Sequence, residues 1–181
     1  MKLQERIAQI TGRTPQRLSR LSGGMIGTVY HVRFTSGDDL VAKVSENGQT
    51  TLDIEGQMLL YLAEHSQLPI PDVLHAAPDL LLMTYIDNRG SISQQVERDT
   101  AQHIAALHSI HAEQFGLSFD TLIGPLHQPN AQSQRWIPFF REHRLRYMAD
   151  IAHQGVRLPT VVRQGIERLL PKLDQLLQEP E

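Results

Sequence analysis

The chain has 181 residues, 40% of them apolar and 20% charged, and a formal net charge of -3. This length and composition are typical of one or two folded domains and exclude disordered or collagen-like polymers. The small negative charge leaves no basic field for nucleic acid or anionic membranes, and the absence of cysteine excludes disulfides, thiolate nucleophiles and cysteine zinc sites.

The longest apolar stretch, around residues 80–83, is far shorter than the ~20 residues that span a bilayer. The N-terminal segment MKLQERIAQI carries Gln, Glu and Arg where a signal peptide needs an apolar run. We therefore expect a soluble, cytoplasmic protein that contacts neither nucleic acid nor membrane.

The first half of the chain is predicted to be an antiparallel sheet with one helix against it. A short amphipathic helix over residues 2–11 comes first, and a helix over residues 50–64 with a capping Thr near its start follows the third strand. Alternating and β-branched residues predict strands beginning near residue 18 and covering residues 29–35, 40–44, 73–76 and 80–86.

The second half is predicted to be helical, over residues 91–111, 133–153 and 159–177, with a Gly- and Pro-rich loop over residues 115–130. Gly165 and Pro171 are expected to kink or split the last helix. The change in composition near residue 88 predicts two domains, a β-rich lobe over residues 1–87 and an all-helical lobe over residues 88–181.

A glycine-rich segment, Gly23-Gly24-Met25-Ile26-Gly27, lies between two predicted strands. Glycines in such a hairpin let the backbone approach phosphate oxygens and donate N–H bonds to them. A strand follows the segment, whereas Rossmann and Walker loops are followed by a helix. A plain turn is the alternative.

Lys43 lies inside an apolar predicted strand, where a charge is costly unless it is paired or functional. Glu55, on the next helix, is the candidate partner, and an ion pair between them would hold Lys43 towards nucleotide phosphates. Glycine loop, strand lysine and helix glutamate in this order are typical of kinases. A lysine that faces solvent at a sheet edge is the alternative.

The apolar strand over residues 80–86 runs into the predicted boundary between the lobes. In kinase-like folds this strand leads to the hinge that reads the adenine edge, so Met83 and Tyr85 are hinge candidates by position. A buried sheet strand with no ligand role fits the same residues.

The chain resembles the fructosamine (ketosamine) kinase family, within the aminoglycoside-phosphotransferase-like and protein-kinase-like enzymes. The matching segments are LSGGMIGTVYHV, LVAKV, IEGQMLLYL, LLMTYID, IAALHSIH, FGLSFDTLIGPLHQPN and RWIPFFREHRL. The last two favour the ketosamine branch over kinases of aminoglycosides or choline. The resemblance implies an α+β, protein-kinase-like fold, with an antiparallel N-lobe sheet and one helix, followed by a partial helical C-lobe.

The resemblance also implies the roles of individual residues. Lys43 would bind the α- and β-phosphates of ATP, Glu55 would orient it, and Mg²⁺ would accompany the nucleotide. The residues covering the phosphates would be Gly24, Met25, Ile26 and Gly27, and those lining the adenine slot Met83, Thr84 and Tyr85. The acceptor would be a sugar hydroxyl of a ketosamine, often a glycated amine.

The family carries a His-Gly-Asp catalytic loop and metal-binding Asn and Asp residues after the helix that corresponds to residues 159–177. The 181 residues contain no His-Gly-Asp segment. We therefore expect no general base and no metal ligands in this chain, and no phosphate transfer by it alone. A non-catalytic nucleotide-binding or interaction module, and a related aminoglycoside or choline kinase, are the alternatives.

Other features carry less functional weight. The nine histidines offer no convincing metal-ligand spacing. The arginines of residues 135–146 are expected to form a solvated helix face, with substrate contact as the alternative. The wide apolar face of residues 161–176 predicts self-association where nothing covers it.

Overall fold

The computed structural model describes residues 1–22, 27–45 and 51–180. It forms two compact units, residues 1–111 and residues 112–181. The predicted lobe boundary at residues 87 and 88 stays a prediction; the compact units divide after the helix that follows it. None of the helices described is long and apolar enough to cross a membrane.

The first unit is built on a five-stranded antiparallel sheet with the order β1-β2-β3-β5-β4. Its strands are β1 (Arg17–Arg20), β2 (Thr28–Arg33), β3 (Leu40–Val44), β4 (Val73–Ala77) and β5 (Leu80–Thr84). Three helices accompany them: α1 (Leu3–Thr11), α2 (Leu52–His65) and α3 (Gln94–His108). The predicted antiparallel sheet is confirmed, and the three helices follow the segments predicted to be helical over residues 2–11, 50–64 and 91–111.

One face of the sheet is covered by α1. Ile7 from this helix is fully buried in the main core with residues of β2, β3 and β5. The buried members from the sheet and its flanks are Val32, Phe34, Leu40, Ala42, Leu80 and Leu82. Because successive strand residues point to opposite faces, the other face carries the residues between them.

That other face receives α2. Gly56 is buried on α2, and a Cβ added to it would lie 2.5 Å from Cβ of Ala76 and 3.2 Å from Cδ1 of Leu81. The missing side chain therefore lets the helix approach β4 and β5 closely. Thr51 occupies the N-cap position of α2 but makes no capping side-chain bond, so the expected capping contact is absent at that residue.

The helix α3 begins with a conventional cap, since the hydroxyl of Ser93 accepts a bond from the N–H of Val96. None of its residues is buried. Its apolar residues instead line an open groove of about 800 Å³ on the helix surface.

The second unit begins with a hairpin that the all-helical prediction for residues 88–181 missed. β6 (Thr121–Ile123) and β7 (Leu126–Gln128) pair antiparallel around a turn in which Gly124 has a φ of 59°. Each strand has three residues, which is too short for alternation to be recognised in the sequence. Gly and Pro in the turn instead made the segment resemble a loop.

The helices of the second unit follow the predicted segments, with local departures from α geometry. The first comprises α4 (Trp136–Phe139), a π-helical segment (Phe140–Arg146) and α5 (Tyr147–Gln154). The last comprises α6 (Thr160–Leu169), a 3-10 turn (Leu170–Lys172) and α7 (Leu173–Leu176). The break expected in the last helix occurs at Pro171, whereas Gly165 stays within α6.

Aromatic residues at the start of the first of these helices pack on the last segment. Ile137, Leu170 and Leu173 form the buried cluster, and Trp136 stacks on Phe140 with ring centroids 4.9 Å apart. These aromatic residues therefore pack against the core of the second unit.

Candidate functional site

A close ion pair joins β3 to α2. Nζ of Lys43 donates to both carboxylate oxygens of Glu55, at 2.8 and 2.6 Å, and the two side chains are 14% and 30% exposed. Partial burial makes the charge-assisted bonds stronger than those of a surface pair and leaves Lys43 in one geometry. The interpretation of Lys43 as a solvent-facing edge lysine does not fit this contact.

The strand register places Lys43 among a patch of apolar side chains on the face opposite α1. Lys43 pairs with Val29 of β2 and with Leu81 of β5, and Val41 pairs with Met83. Residues directly opposite each other in an antiparallel pair share a face, as do residues two apart in one strand. Lys43 is therefore a cation at the edge of an apolar surface.

A pocket of about 310 Å³ lies on this face, beside the point where β5 ends. Its walls combine apolar side chains with backbone of the segment after β5. The residues that line it are Leu21, Ser22, Val29, Val41, Pro71, Met83, Thr84, Tyr85, Ile86 and Asn88. We call this pocket the slot.

Backbone hydrogen bonds determine which donors the slot offers. The N–H of Thr84 donates to the carbonyl of Asp72 at 3.0 Å, and the N–H of Tyr85 donates to the carbonyl of Asp39 at 3.1 Å. Within the described residues, the N–H of Ile86 has no protein acceptor. An unpaired donor beside apolar walls suits a flat heteroaromatic ligand with an acceptor on its edge.

The segment after the slot is held by its own ion pair. The guanidinium of Arg89 bonds the carboxylate of Asp87, with Nη2 2.6 Å from Oδ2, and this hydrogen bonding lowers the pKa of Asp87 to about 2. Both side chains are largely exposed, so the pair shapes the turn more than it stabilises the fold.

Gly27 is the one predicted loop residue that the structure describes. Its φ is 78°, and an added Cβ would collide with the carbonyl oxygen of Val44. The glycine is therefore required by the close approach of two backbones where β2 begins. The other predicted phosphate-covering residues, Gly24, Met25 and Ile26, lie outside the described residues.

The structure thus brings the predicted site residues into two groups. Lys43 and Glu55 form the ion pair, while Met83, Thr84 and Tyr85 line the slot. Sequence reasoning did not assign Val29 or Val41 to the site. The sequence could have predicted Val41, because it is two residues from Lys43 on the same strand and therefore lies on the same face.

The arginine-rich helix of the second unit is neutralised internally. Arg135 and Arg141 bond Asp174, and Arg146 bonds Glu142. Arg144 instead reaches the carbonyl of Pro129 and the buried Asn130. These contacts supply structural roles for the arginines, so the substrate-contact interpretation has no support from them.

Metal ligands were not predicted in this chain. Across residues 1–22, 27–45 and 51–180, no three His, Asp or Glu side chains gather in a way that could hold a metal ion. The slot and the ion pair fit the base and phosphates of a nucleotide, whereas ligands for Mg²⁺ stay unassigned.

Comparisons with known proteins identify relatives of this chain that are named as kinases. A "Probable ketoamine kinase" from Klebsiella aerogenes is 31% identical over 140 residues, which cover 74% of this chain and 48% of the relative. A "Protein-ribulosamine 3-kinase, chloroplastic" from Arabidopsis thaliana is 25% identical over 175 residues, covering 91% of this chain and 53% of the relative. The chain therefore spans about half the length of these curated relatives.

A solved structure extends the likeness to the fold. The crystal structure of a "putative fructosamine-3-kinase" from Thermobifida fusca superposes with a TM-score of 0.81 at 27% identity, covering 99% of this chain and 64% of that one. The predicted α+β, protein-kinase-like fold is confirmed. The sequence model of the fructosamine kinase family matches residues 1–181, and this chain belongs to that family.

Proposed function

We propose that the first unit binds ATP. The adenine would enter the slot, Lys43 would bind the α- and β-phosphates, and Glu55 would orient Lys43. The residues from Gly24 to Gly27 would cover the phosphates. The observation that carries this proposal is the Lys43–Glu55 ion pair, 2.6 Å long and on the same sheet face as the slot-lining residues Val29 and Val41.

The chemistry of the slot supports the base end of this assignment. Apolar residues above and below a flat ring remove its faces from water, and the Ile86 N–H can donate to a ring nitrogen of adenine. The predicted adenine-lining residues, Met83, Thr84 and Tyr85, would contribute side chains and carbonyl groups, since the N–H groups of the last two are already used.

For the whole protein we propose ATP-dependent phosphorylation of a sugar hydroxyl on a ketosamine or glycated amine. The family membership and the names of the relatives from Klebsiella aerogenes and Arabidopsis thaliana support this class of acceptor. Mg²⁺ bound with the nucleotide would neutralise phosphate charge as the phosphoryl group moves. Lys43, held by Glu55, would fix the position of the nucleotide for that transfer.

Nucleotide binding is tested by isothermal titration of the full chain with Mg-ATP and with adenosine. We expect both to bind, and Lys43→Ala to weaken ATP about tenfold or more while leaving adenosine unchanged, because the charge acts on phosphate alone. Lys172→Ala is the matched control, since that lysine is exposed in the second unit. Equal ATP affinity in Lys43→Ala and the unmodified chain would reject the phosphate role.

Transfer is tested separately, by following labelled γ-phosphate from ATP to a glycated lysine. Binding without transfer by these 181 residues would match the expectation that they lack a general base, and would favour the alternative of a nucleotide-binding module. Transfer to an aminoglycoside or choline, and none to glycated lysine, would contradict the proposed acceptor class.

Three further expectations stay proposals. The lobe over residues 1–87 would bind the nucleotide, and residues 88–181 would form the partial helical lobe. The protein would be cytoplasmic. Self-association would use the apolar face of the last helices, where Val161, Val162 and Leu176 are 68%, 45% and 62% exposed. Sedimentation of the chain with and without Val161→Glu tests that surface, since a charge there should favour the monomer.

A further inference from the structure

We propose that His31 and Asp39 are positioning residues for the base end of the slot and act through Tyr85. This inference rests on the proposed nucleotide function and adds two residues that do not line the slot themselves. It assigns to them the orientation of the Tyr85 ring and of the backbone that presents the Ile86 N–H.

His31 is held from two sides. Its Nε2 lies 2.8 Å from Oδ2 of Asp39, and because a carboxylate accepts and does not donate, Nε2 carries the proton. Its ring stacks on the ring of Tyr85, with centroids 3.9 Å apart and planes 9° from parallel. His31 is only 7% exposed, so the stack and the hydrogen bond leave its ring one orientation.

Asp39 reaches both partners of this stack. Its carboxylate accepts from His31, while its backbone carbonyl accepts from the N–H of Tyr85 at 3.1 Å. Asp39 therefore links the side chain of His31 to the main chain of Tyr85. The result is a closed set of contacts that includes both the ring and the backbone of Tyr85.

The position of this set explains why it matters for the slot. His31 pairs with Val41, and Val41 pairs with Met83, so the three lie in one row across the sheet. Val41, Met83 and Tyr85 line the slot, and the ring of His31 stacks on the ring of Tyr85. Ile86 follows Tyr85 directly, so the direction of the Ile86 N–H depends on how Tyr85 is held.

A purely structural role would give a different result from positioning. If the set only stabilised the sheet, its loss would lower the unfolding temperature without separating one ligand from another. If it positions the base end, its loss weakens every ligand that contains the base, and leaves the phosphate contact at Lys43 intact.

The experiment measures affinities for Mg-ATP, adenosine and tripolyphosphate by titration of the full chain. We expect His31→Ala to weaken ATP and adenosine by the same factor, about tenfold, and to leave tripolyphosphate unchanged. His31→Phe retains a ring for the stack but has no hydrogen-bond donor. Its affinity for adenosine should lie between those of the unmodified chain and His31→Ala. His111→Ala, an exposed histidine outside this set, is the control.

Rescue at Asp39 provides the second arm. Asp39→Asn keeps an oxygen that accepts from His31 and should bind adenosine nearly as the unmodified chain does, whereas Asp39→Ala should match His31→Ala. Amide hydrogen exchange at Tyr85, measured without ligand, should be faster in Asp39→Ala than in Asp39→Asn. The Asp39 pair keeps this test available if His31→Ala does not fold.

Separate outcomes overturn the two proposals. Adenosine affinity unchanged in folded His31→Ala and Asp39→Ala overturns the positioning role while leaving nucleotide binding in place. Loss of tripolyphosphate binding in parallel with adenosine also overturns it, because the effect is then structural. An unmodified chain that binds neither ATP nor adenosine overturns the proposed function, and this inference with it.

Discussion

Lys43 and Glu55 are twelve positions apart in the chain and meet with 2.6 Å between Nζ and the nearer carboxylate oxygen. The strand supplies the cation and the following helix supplies the anion, so the pair forms only when α2 packs on the sheet in this position. The placement depends on the next residue, Gly56, whose missing side chain admits Ala76. The electrostatics of the candidate site and the packing beneath it are therefore coupled.

Glu55→Gln tests the orienting role of the carboxylate. The amide keeps the size of the side chain but loses the charge, so Lys43 should lose its fixed direction and ATP affinity should fall about tenfold. Adenosine affinity should not change, because the slot is untouched. Titration with both ligands measures the difference, and Glu113→Gln, an exposed residue, is the control.

Gly56→Ala tests the close packing of α2 against β4. The added methyl group would lie 2.5 Å from Cβ of Ala76, so the helix must shift, and we expect a loss of about 1–3 kcal/mol in the free energy of unfolding. Gly165→Ala is the matched control, since that helical glycine has open space around its Cβ position. Alanine there should stabilise by about 0.5–1 kcal/mol.

Thermal unfolding of the two glycine variants gives the comparison directly. Opposite signs support the packing argument. A Gly56→Ala chain as stable as the unmodified one would show that the sheet accommodates the methyl group and would remove the packing reason for glycine at this position.

Arg144→Met tests the anchor of the hairpin segment in the second unit. Arg144 donates to the carbonyl of Pro129 at 2.7 Å and to Oδ1 of Asn130 at 2.5 Å, and burial lowers the pKa of its guanidinium from the usual value. Asn130 is 2% exposed, so removing its charged partner should cost about 1.5–3 kcal/mol.

Trp136 is the single tryptophan of the chain and lies in the second unit, so its fluorescence during urea unfolding reports on that unit. Arg168→Met, at an exposed arginine, should change the midpoint little. Equal midpoints for the Arg144 and Arg168 variants would contradict the anchoring role.

The ion pair between Arg6 and Asp79 predicts a specific dependence on pH. Its hydrogen bonds, 2.5 and 2.6 Å long, lower the pKa of the Asp79 carboxyl. The unfolded chain then binds a proton more readily than the folded chain, so the contribution to stability is present above about pH 4 and is lost as pH falls through the lowered pKa.

Because Asp79 is 53% exposed, solvent limits this contribution to about 1 kcal/mol or less. Urea unfolding at pH 7 and below pH 3 should show a smaller difference for Asp79→Asn than for the unmodified chain. Asp38→Asn, at an exposed carboxylate, should leave the difference as it is. An identical pH dependence in all three chains would eliminate the pair as a source of acid sensitivity.

Much of the first unit was accessible from local pattern. Alternation over residues 29–34 and 40–44 predicted β2 and β3, and an apolar stripe predicted α2, because these patterns depend on periods of two or 3.6 residues. The ion pair was also predictable, since a lysine within an apolar strand requires a partner and Glu55 lies on the next helix.

Other features of the site depended on which chain segments meet. Val29 reaches the slot because β2 pairs with β3, whose Val41 also lines it. Asp39 matters because its carbonyl accepts from the N–H of Tyr85, far along the chain. Likewise, Arg144 bonds Asn130, which follows a hairpin whose strands were too short to be recognised. No spacing rule within one segment contains these contacts.

The sequence by itself determined the elements of the first unit, the family and the charged pair, because each rests on short-range periodicity or on residue types in a recognisable order. Only the tertiary structure decided the walls of the slot, the Ile86 N–H that has no acceptor among the described residues, and the contacts of His31 with Tyr85 and Asp39. The physical reason is that hydrogen bonding and stacking act over 3–4 Å in space, and sheet register alone brings such distant residues within that range.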